Sequence, residues 1–117
     1  MAEGSVRLVE WYRMPSGRVP LAEFLNGLHE QDRKRALSLL GLLERRERIG
    51  EPQSQKVETG LFELRKDRVR MFYIFLPGRR AMVLDGILKK QWEIPQDVLN
   101  RVRAYRRDAE AREKKAQ

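Results

Sequence analysis

Three apolar runs lie in the stretch from Gly60 to Lys90, and in each of them apolar and polar residues tend to alternate. The runs are Leu61 to Arg65, Val69 to Leu76 and Ala81 to Leu88. Short polar breaks separate them, so the pattern predicts three consecutive antiparallel strands. In the second break Pro77 presets the second position of a tight turn, and Gly78 accepts the positive φ of the third. The rest of the chain must cover the β-meander that this stretch predicts.

Two amphipathic helices are predicted before the meander. Pro20 suits the first turn of a helix, because its missing N–H is no loss there. One buried face follows at helical spacing, formed by Leu21, Phe24, Leu25 and Leu28. The residues His29 to Asp32 are interpreted as the break before a second helix. Its buried stripe is predicted to contain Ala36, Leu39, Leu40 and Leu43, widened by Leu37 and Leu42. Gly50 and Pro52 predict that this helix ends near Ile49.

The remaining segments complete an α+β fold with two N-terminal helices packed on a small, mostly antiparallel sheet and with a C-terminal helix. Val6 to Tyr12 has the content of a first strand, and Gln53 to Thr59 is interpreted as a polar connection. Pro95 is predicted to open the last helix, whose apolar residues are Val98, Leu99, Val102 and Tyr105. We expect residues 1–105 to form one domain, with mobile first five residues, and 106–117 to form a charged, solvated helical extension that frays toward its end.

Composition narrows the class of function. The net charge is +8 and the sequence pI is near 10.3. Such a charge favours a polyanionic partner, or an acidic protein that exploits the same field. The chain has no cysteine, which suits a reducing cytoplasm. It also has no apolar run of membrane-spanning length. We therefore expect a soluble, cytoplasmic protein without a membrane partner.

Most familiar catalytic groups are missing from the sequence. His29 is the single histidine and lies at a helix break, where a surface or capping role is expected. Zinc-binding patterns and glycine-rich phosphate loops are absent, so no metal or other cofactor is expected. RNA, however, carries its own nucleophile in the 2′-OH. An enzyme can cleave it by orienting that hydroxyl and stabilising charge on the phosphate, which arginine and lysine side chains can do.

Cationic and aromatic residues cluster around the meander. Arg70 shares its strand face with Phe72 and Ile74, so it either pairs with an acid such as Glu63 or meets an anionic ligand. Each of the other candidate site residues allows two interpretations. Lys89 and Lys90 are either part of a site or solvated guards of a strand end, and Asp85 either orients a lysine or ends its strand. Trp11 and Trp92 are base-stacking candidates, although Trp11 is more typical of a core or sheet face.

The order of these features resembles the phage-derived HigB-like branch of the RelE/ParE toxin superfamily. The residues that carry the resemblance are Gly60 to Arg65, Arg70 to Tyr73 and Leu88 to Lys90, and it covers about residues 6–105. It implies a RelE-like fold and a toxin that cleaves mRNA in the ribosomal A site. It also implies an antitoxin partner with a helix-turn-helix domain. Neither a cofactor nor a metal is implied.

The resemblance implies a site as well. Arg70 would clamp the scissile phosphate, and Lys89 and Lys90 would stabilise charge and assist proton transfer. The residues expected to contact RNA are Arg65, Arg68, Tyr73, Arg79, Arg80 and Trp92. Two alternatives stay open: a non-enzymatic, ParE-like inhibitor of DNA gyrase, and a catalytically degenerate member that binds an antitoxin or nucleic acid. An enzyme requires these cations to converge on one phosphate, whereas a binding protein can spread them.

Overall fold

A five-stranded sheet forms the centre of the chain. The structure is a computed structural model that describes residues 6–89 and 93–116. The elements are β1 Leu8–Trp11, α1 Pro20–Asn26, α2 Glu30–Arg45, β2 Ser54–Glu58, β3 Leu61–Lys66, β4 Val69–Leu76, β5 Arg80–Leu88 and α3 Gln96–Ala116. The strand order is β1-β5-β4-β3-β2, with β1 parallel to β5 and the other pairs antiparallel. The predicted α+β fold class is confirmed.

The predicted meander corresponds to β3, β4 and β5, each antiparallel to the next. Leu76 pairs with Arg80, so a loop of three residues joins β4 to β5. Gly78 has a φ of +82°, which confirms the positive φ predicted for it. Arg79 has a φ of +58°, a left-handed conformation that the sequence pattern does not predict.

Both edges of the sheet are short strands. The prediction of a first strand is confirmed, although β1 is shorter than Val6 to Tyr12. The interpretation of Gln53 to Thr59 as a connection is wrong, because β2 lies within it and pairs with β3. The polar sequence is tolerated since an edge strand leaves one side and much of its surface in water. Val57 is its apolar contribution to the core.

Helices α1 and α2 cover one face of the sheet. The predicted buried residues of both helices lie in this core, with Phe24 partly buried against it. Leu37 and Leu42 are exceptions, because 51% of the Leu37 surface is exposed and Leu42 is only partly buried outside this core. Helix α2 begins at Glu30, so its predicted start is late, and it ends at Arg45 rather than near Ile49.

The side chain of Arg7 explains the early end of α2. Its guanidinium donates hydrogen bonds to the carbonyl oxygens of Leu43, Arg46 and Glu47. The backbone N–H groups of Val6 and Arg7 both donate to the carbonyl of Glu44. These donors satisfy the last carbonyls of the helix, which frees the chain to turn away.

Helix α3 covers the other face of the sheet. It starts at the position predicted from Pro95 and buries Val98 and Val102. It then crosses the predicted boundary after residue 105 without a break. Beyond that residue Ala109 is buried and Asp108 accepts a hydrogen bond of 2.6 Å from the Tyr12 hydroxyl, whereas most of the other side chains are exposed. Small and polar contacts of this kind leave no apolar periodicity in the sequence.

Three further predictions concern membrane-spanning segments, His29 and the N-terminus. None of the helices in residues 6–89 and 93–116 has both the length and the apolarity needed to cross a membrane. His29 is exposed at the start of α2, in agreement with the surface role expected for it. The first five residues, which were expected to be mobile, lie outside the described residues.

Candidate functional site

Two arginines of the meander lie side by side on the face of the sheet that α3 covers. The register of β3 and β4 places Arg65 opposite Arg70 and Glu63 opposite Phe72. Phe72 and Ile74 belong to the core beneath α3, so the predicted face of Arg70 is confirmed. We call Gln55, Glu63, Arg65 and Arg70 the arginine cluster.

Glu63 lies between the two guanidinium groups. Its Oε1 atom is 3.7 Å from Nη1 of Arg70 and 3.9 Å from Nη1 of Arg65. The Arg65 group also donates a hydrogen bond of 3.2 Å to Oε1 of Gln55. The pairing of Arg70 with Glu63, one of the two alternatives for Arg70, is thus confirmed. The side chain of Arg70 is 1% exposed and that of Arg65 is 16% exposed, so a ligand reaches Arg65 first.

Burial dominates the electrostatics of the arginine cluster. It raises the pKa of Glu63, although the charges of Arg70 and Arg65 act in the opposite direction. Burial also lowers the pKa of Arg70, with Glu63 opposing this shift and Arg65 adding to it. The Oε2 atom of Glu63 is buried and accepts no hydrogen bond from the described residues. Charges held out of water with such incomplete compensation are typical of functional sites.

Lys89 lies at the same end of the sheet. Its backbone N–H donates a hydrogen bond of 2.7 Å to the carbonyl of Arg68, one pair beyond the Val69–Leu88 pair that begins the β4–β5 ladder. Arg70 is the next residue of β4 after Val69. The structure therefore brings Arg65, Arg70 and the backbone of Lys89 together. Lys90 and Trp92 lie outside the described residues.

Arg68 uses its side chain within the fold. Its guanidinium donates to Oδ2 of Asp32 at 3.0 Å, and Arg35 donates to Oδ1 of the same carboxylate at 3.0 Å. Arg35 also pairs with Asp67 at 2.8 Å. The hydrogen bond from Arg68 is the main cause that lowers the pKa of Asp32. This network, the Asp32 network, fastens the β3–β4 turn to α2 and fixes the carbonyl that Lys89 contacts.

The sequence analysis did not predict Asp32 as a buried carboxylate, although its position in the sequence indicates one. It was assigned to a break, but it lies four residues before Ala36 on the buried stripe of α2. An acidic residue at that spacing indicates a buried carboxylate with cationic partners.

Three predicted RNA contacts lie away from the arginine cluster. Tyr73 is buried on the opposite face, where its hydroxyl shares a hydrogen bond of 2.7 Å with Ser54. Arg79 and Arg80 lie at the far end of the β4–β5 hairpin, about 20 Å from Arg70 at the rise of a β-strand. Arg80 is also paired with Glu10 and Glu113.

The structure excludes one interpretation of Asp85 and one of Trp11. Strand β5 continues past Asp85 to Leu88, so the alternative in which Asp85 ends the strand is wrong. Its carboxylate accepts hydrogen bonds of 2.8 Å from the Gly86 N–H and from Nε of Arg101. Trp11 lies on the edge strand β1 and is 43% exposed, so it is not a core residue. Within the described part of the chain, no three histidine or acidic side chains are grouped to hold a metal ion.

A protein-family model matches the part of the chain that contains this site. The model of the family described as Phage derived protein Gp49-like (DUF891) matches residues 23–107, which is more than two thirds of the chain. The chain belongs to this family. Gp49-like proteins are of the RelE-like toxin type, so the coarse part of the predicted relationship is confirmed. A search of curated proteins gave no significant match. The matched segment contains the arginine cluster, the Asp32 network and Lys89.

Proposed function

We propose that this Gp49-like chain is the toxin of a toxin–antitoxin system and cleaves mRNA on the ribosome, which inhibits translation in the cytoplasm. We also place it in the HigB-like branch of the RelE-like toxins. The observation that carries the proposal is that Arg65, Arg70 and the backbone of Lys89 lie together at one end of the sheet. The net charge of +8 supports an RNA partner.

The proposed chemistry uses the 2′-OH of the RNA as the nucleophile. Its oxygen attacks the adjacent phosphorus, the bond to the 5′-oxygen breaks, and the products are a 2′,3′-cyclic phosphate and a free 5′-OH. Arg65 meets the phosphate first and stabilises its charge by a bidentate contact. Lys89, together with Lys90, stabilises the same charge and assists proton transfer. Trp92 is retained as a proposed contact for an RNA base.

Arg70 takes part in this proposal in a restricted way. Because its side chain is buried, direct contact with the scissile phosphate requires a local opening of the arginine cluster. Until it opens, Arg70 adds positive potential behind Arg65 and holds Glu63. Tyr73 is left out, since it is buried on the opposite face of the sheet.

The burial of Arg70 favours a second candidate, a toxin that binds its target without cleaving RNA. In this alternative the basic surface docks on a protein such as DNA gyrase, or on nucleic acid. Arg68 and Arg80 support it as well, because both side chains are committed to ion pairs within the fold. A binding surface tolerates cations that are spread over the molecule.

The proposed partners are the ribosome, mRNA and a helix-turn-helix antitoxin. An acidic segment of the antitoxin would cover Arg65 and Lys89 and block access to RNA. Co-purification with such an antitoxin, encoded beside the toxin, tests this. We expect Arg65→Glu to weaken the complex more than Arg79→Glu at the far end of the sheet.

Cell-free translation of a reporter mRNA, with RNA ends mapped by primer extension, tests the enzymatic proposal. We expect cuts that require ribosomes and that fall roughly a hundredfold in Lys89→Gln/Lys90→Gln, the scale of losing a charge-stabilising group. Arg65→Gln should also reduce cleavage. The matched control is Arg79→Gln, which removes one exposed arginine away from the cluster and should cut like the wild type.

Arg70 requires a paired design, because its loss alone leaves Glu63 buried and unbalanced. Arg70→Met is therefore tested together with Glu63→Gln. If this double variant cleaved RNA at the wild-type rate, Arg70 would not contribute to cleavage. Intact mRNA with the wild-type chain would contradict the enzymatic proposal. A gyrase supercoiling assay would then test the second candidate.

A further inference from the structure

A second concave site lies on the face of the sheet opposite the arginine cluster. It is an open pocket of about 300 Å³, lined by strands β2, β3 and β4, by the segment that follows α2 and by Arg7. Phe62, Tyr73 and Phe75 form an aromatic wall, and Arg7 and Arg48 lie at its rim. We call it the aromatic pocket. It contains none of the residues of the proposed cleavage site.

The three rings are arranged as a continuous surface. The centroids of Phe62 and Tyr73 are 5.6 Å apart with planes inclined by 29°, and Phe75 is 5.4 Å from Phe62. Tyr73 is buried beneath the other two, whereas Phe75 is 48% exposed. A half-exposed aromatic ring at the mouth of a pocket offers apolar surface to a planar ligand, here beside the Arg7 guanidinium that lies over part of the Phe75 ring.

The rim of the aromatic pocket is cationic. The guanidinium of Arg7 lies 4.9 Å from the centroid of the Phe75 ring, and its hydrogen bonds to the end of α2 hold it there. Arg48 is exposed and forms no ion pair with the described residues. Glu47 also lines the pocket, but its carboxylate lies 3.9 Å from Arg79 outside it. The rim therefore attracts an anionic group.

Ser54 and Tyr73 supply polar groups at the floor. Their hydroxyls are 2.7 Å apart and share one hydrogen bond. A hydroxyl has one donor and two acceptor positions, so the pair retains capacity for a ligand. An aromatic wall, a polar floor and a cationic rim match the flat face, the polar edge and the phosphate of a nucleotide.

We infer that the aromatic pocket binds a nucleotide, with its base against Phe62 and Phe75 and its phosphate at Arg48. The volume is at the lower end for ligand pockets, which suits one small ligand. The nucleotide is either free or one unit of a single-stranded RNA. Because this site and the arginine cluster lie on opposite faces and share no residue, the inference does not rest on the proposed cleavage.

Proton NMR of adenosine 5′-monophosphate titrated with the full chain tests this inference without ribosomes. We expect the H2 and H8 signals of the base to shift upfield, since stacking places them in the ring current of an aromatic side chain. Phe75→Ala should weaken binding about tenfold or more, as for the loss of one stacking partner. Arg48→Gln should weaken the monophosphate but leave adenosine unaffected.

Matched controls separate the pocket from general effects. Leu37→Ala removes a large apolar side chain of similar exposure from α2, and Lys114→Gln removes an exposed cation from α3; both should bind like the wild type. Circular dichroism verifies that each variant is folded. Phe75→Tyr, which keeps the ring, should retain binding.

Further ligands show whether the bound nucleotide is free or part of an RNA, and they provide the results that would overturn the inference. A 2′-O-methyl RNA hexamer that displaces the monophosphate, and loses affinity in Phe75→Ala, identifies RNA as the source; binding of the monophosphate alone identifies a free nucleotide. Ribose 5-phosphate binding as tightly as the monophosphate would reduce the site to an anion patch and overturn the inference. Binding of a phenylalanine-containing peptide but of no nucleotide would overturn it too. Either failure leaves the proposed cleavage untouched.

Discussion

Two buried carboxylates of this chain, Asp32 and Glu63, each face two arginines, yet their pKa values shift in opposite directions. Asp32 accepts short hydrogen bonds from Arg68 and Arg35, and its pKa is lowered. Glu63 lies 3.7 and 3.9 Å from its two arginines, and burial raises its pKa. The same residue classes thus produce two different sites.

The difference lies in how far the arginines are removed from water. Arg68 and Arg35 keep their guanidinium groups partly solvated, so short contacts with Asp32 are gained at small cost. Glu63 is buried beside Arg70, and the longer distances to its two arginines compensate less of the desolvation of its charge. We therefore regard the Asp32 network as an anchor and the arginine cluster as the candidate site. The predictions below test this contrast.

The largest effect is expected from Arg70→Ala. It leaves the charge of Glu63 buried with a single, more distant partner, so we expect the free energy of unfolding in urea to fall by about 3–5 kcal/mol. The control Arg70→Met/Glu63→Gln removes both charges and should recover most of this loss. A loss below about 1 kcal/mol for Arg70→Ala would show that the pair is not held in a dry environment.

The pH dependence of stability should have opposite signs at the two carboxylates. Above 4.5, the ordinary pKa of Glu63, its folded form keeps a proton that the unfolded chain has lost. Glu63 thus lowers stability as the pH rises through its raised pKa, and the effect levels off above that value. Below 3.8, the ordinary pKa of Asp32, the unfolded chain takes up a proton first, so the stability from Asp32 is lost as the pH falls through its lowered pKa.

Urea unfolding at a series of pH values measures both slopes. Glu63→Gln should remove the decline above pH 4.5, and Asp32→Asn should remove part of the acid loss below pH 3.8. Each variant serves as the control for the other. If the free energy of unfolding declined above pH 4.5 in Glu63→Gln as it does in the wild type, the pKa of Glu63 would not be raised. The contrast between Glu63 and Asp32 would then be lost.

A smaller effect on global stability is expected for Asp32→Asn at neutral pH, with a local signature at Lys89. The variant weakens the contact with Arg68, whose carbonyl accepts the hydrogen bond from the Lys89 N–H. Amide hydrogen exchange at Lys89 should therefore accelerate. Asp67→Asn, which affects an exposed partner of Arg35, should change this exchange much less. If the Lys89 amide exchanged as slowly in Asp32→Asn as in the wild type, the Asp32 network would not be what holds Lys89 in place.

The sequence predicts the fold well where residues are apolar and periodic. The strands of the meander, the buried faces of α1 and α2 and the start of α3 all follow from spacing. β2 and the contacts of α3 beyond residue 105 do not, because they come from polar residues such as Glu58 and Asp108. The end of α2 depends on Arg7, a residue distant in sequence. Side chains that bond across the chain leave no local pattern.

The candidate site was predictable only in part for the same reason. Strand parity places Arg70 correctly and suggests Glu63 as its partner. Parity also places Tyr73 on the opposite face, but a motif match alone assigned it to the same site. The commitment of Arg68 to Asp32, and of Arg80 to Glu10 and Glu113, depends on three-dimensional neighbours. Sequence identifies cations, whereas structure decides which of them are available.

The smallest effect is expected from Arg79→Gln, which extends the contrast to an ion pair in water. Arg79 and Glu47 are both largely exposed and lie 3.9 Å apart. Such a pair contributes about 0.5 kcal/mol or less, because solvent screens it and ordering two long side chains costs entropy. Urea unfolding should therefore show almost no change, whereas Arg80→Gln, whose partly buried side chain binds two carboxylates, should lose more. A loss for Arg79→Gln as large as that for Arg70→Ala would mean that burial does not distinguish these arginines. The case for the arginine cluster as the site would then rest on its position in the sheet alone.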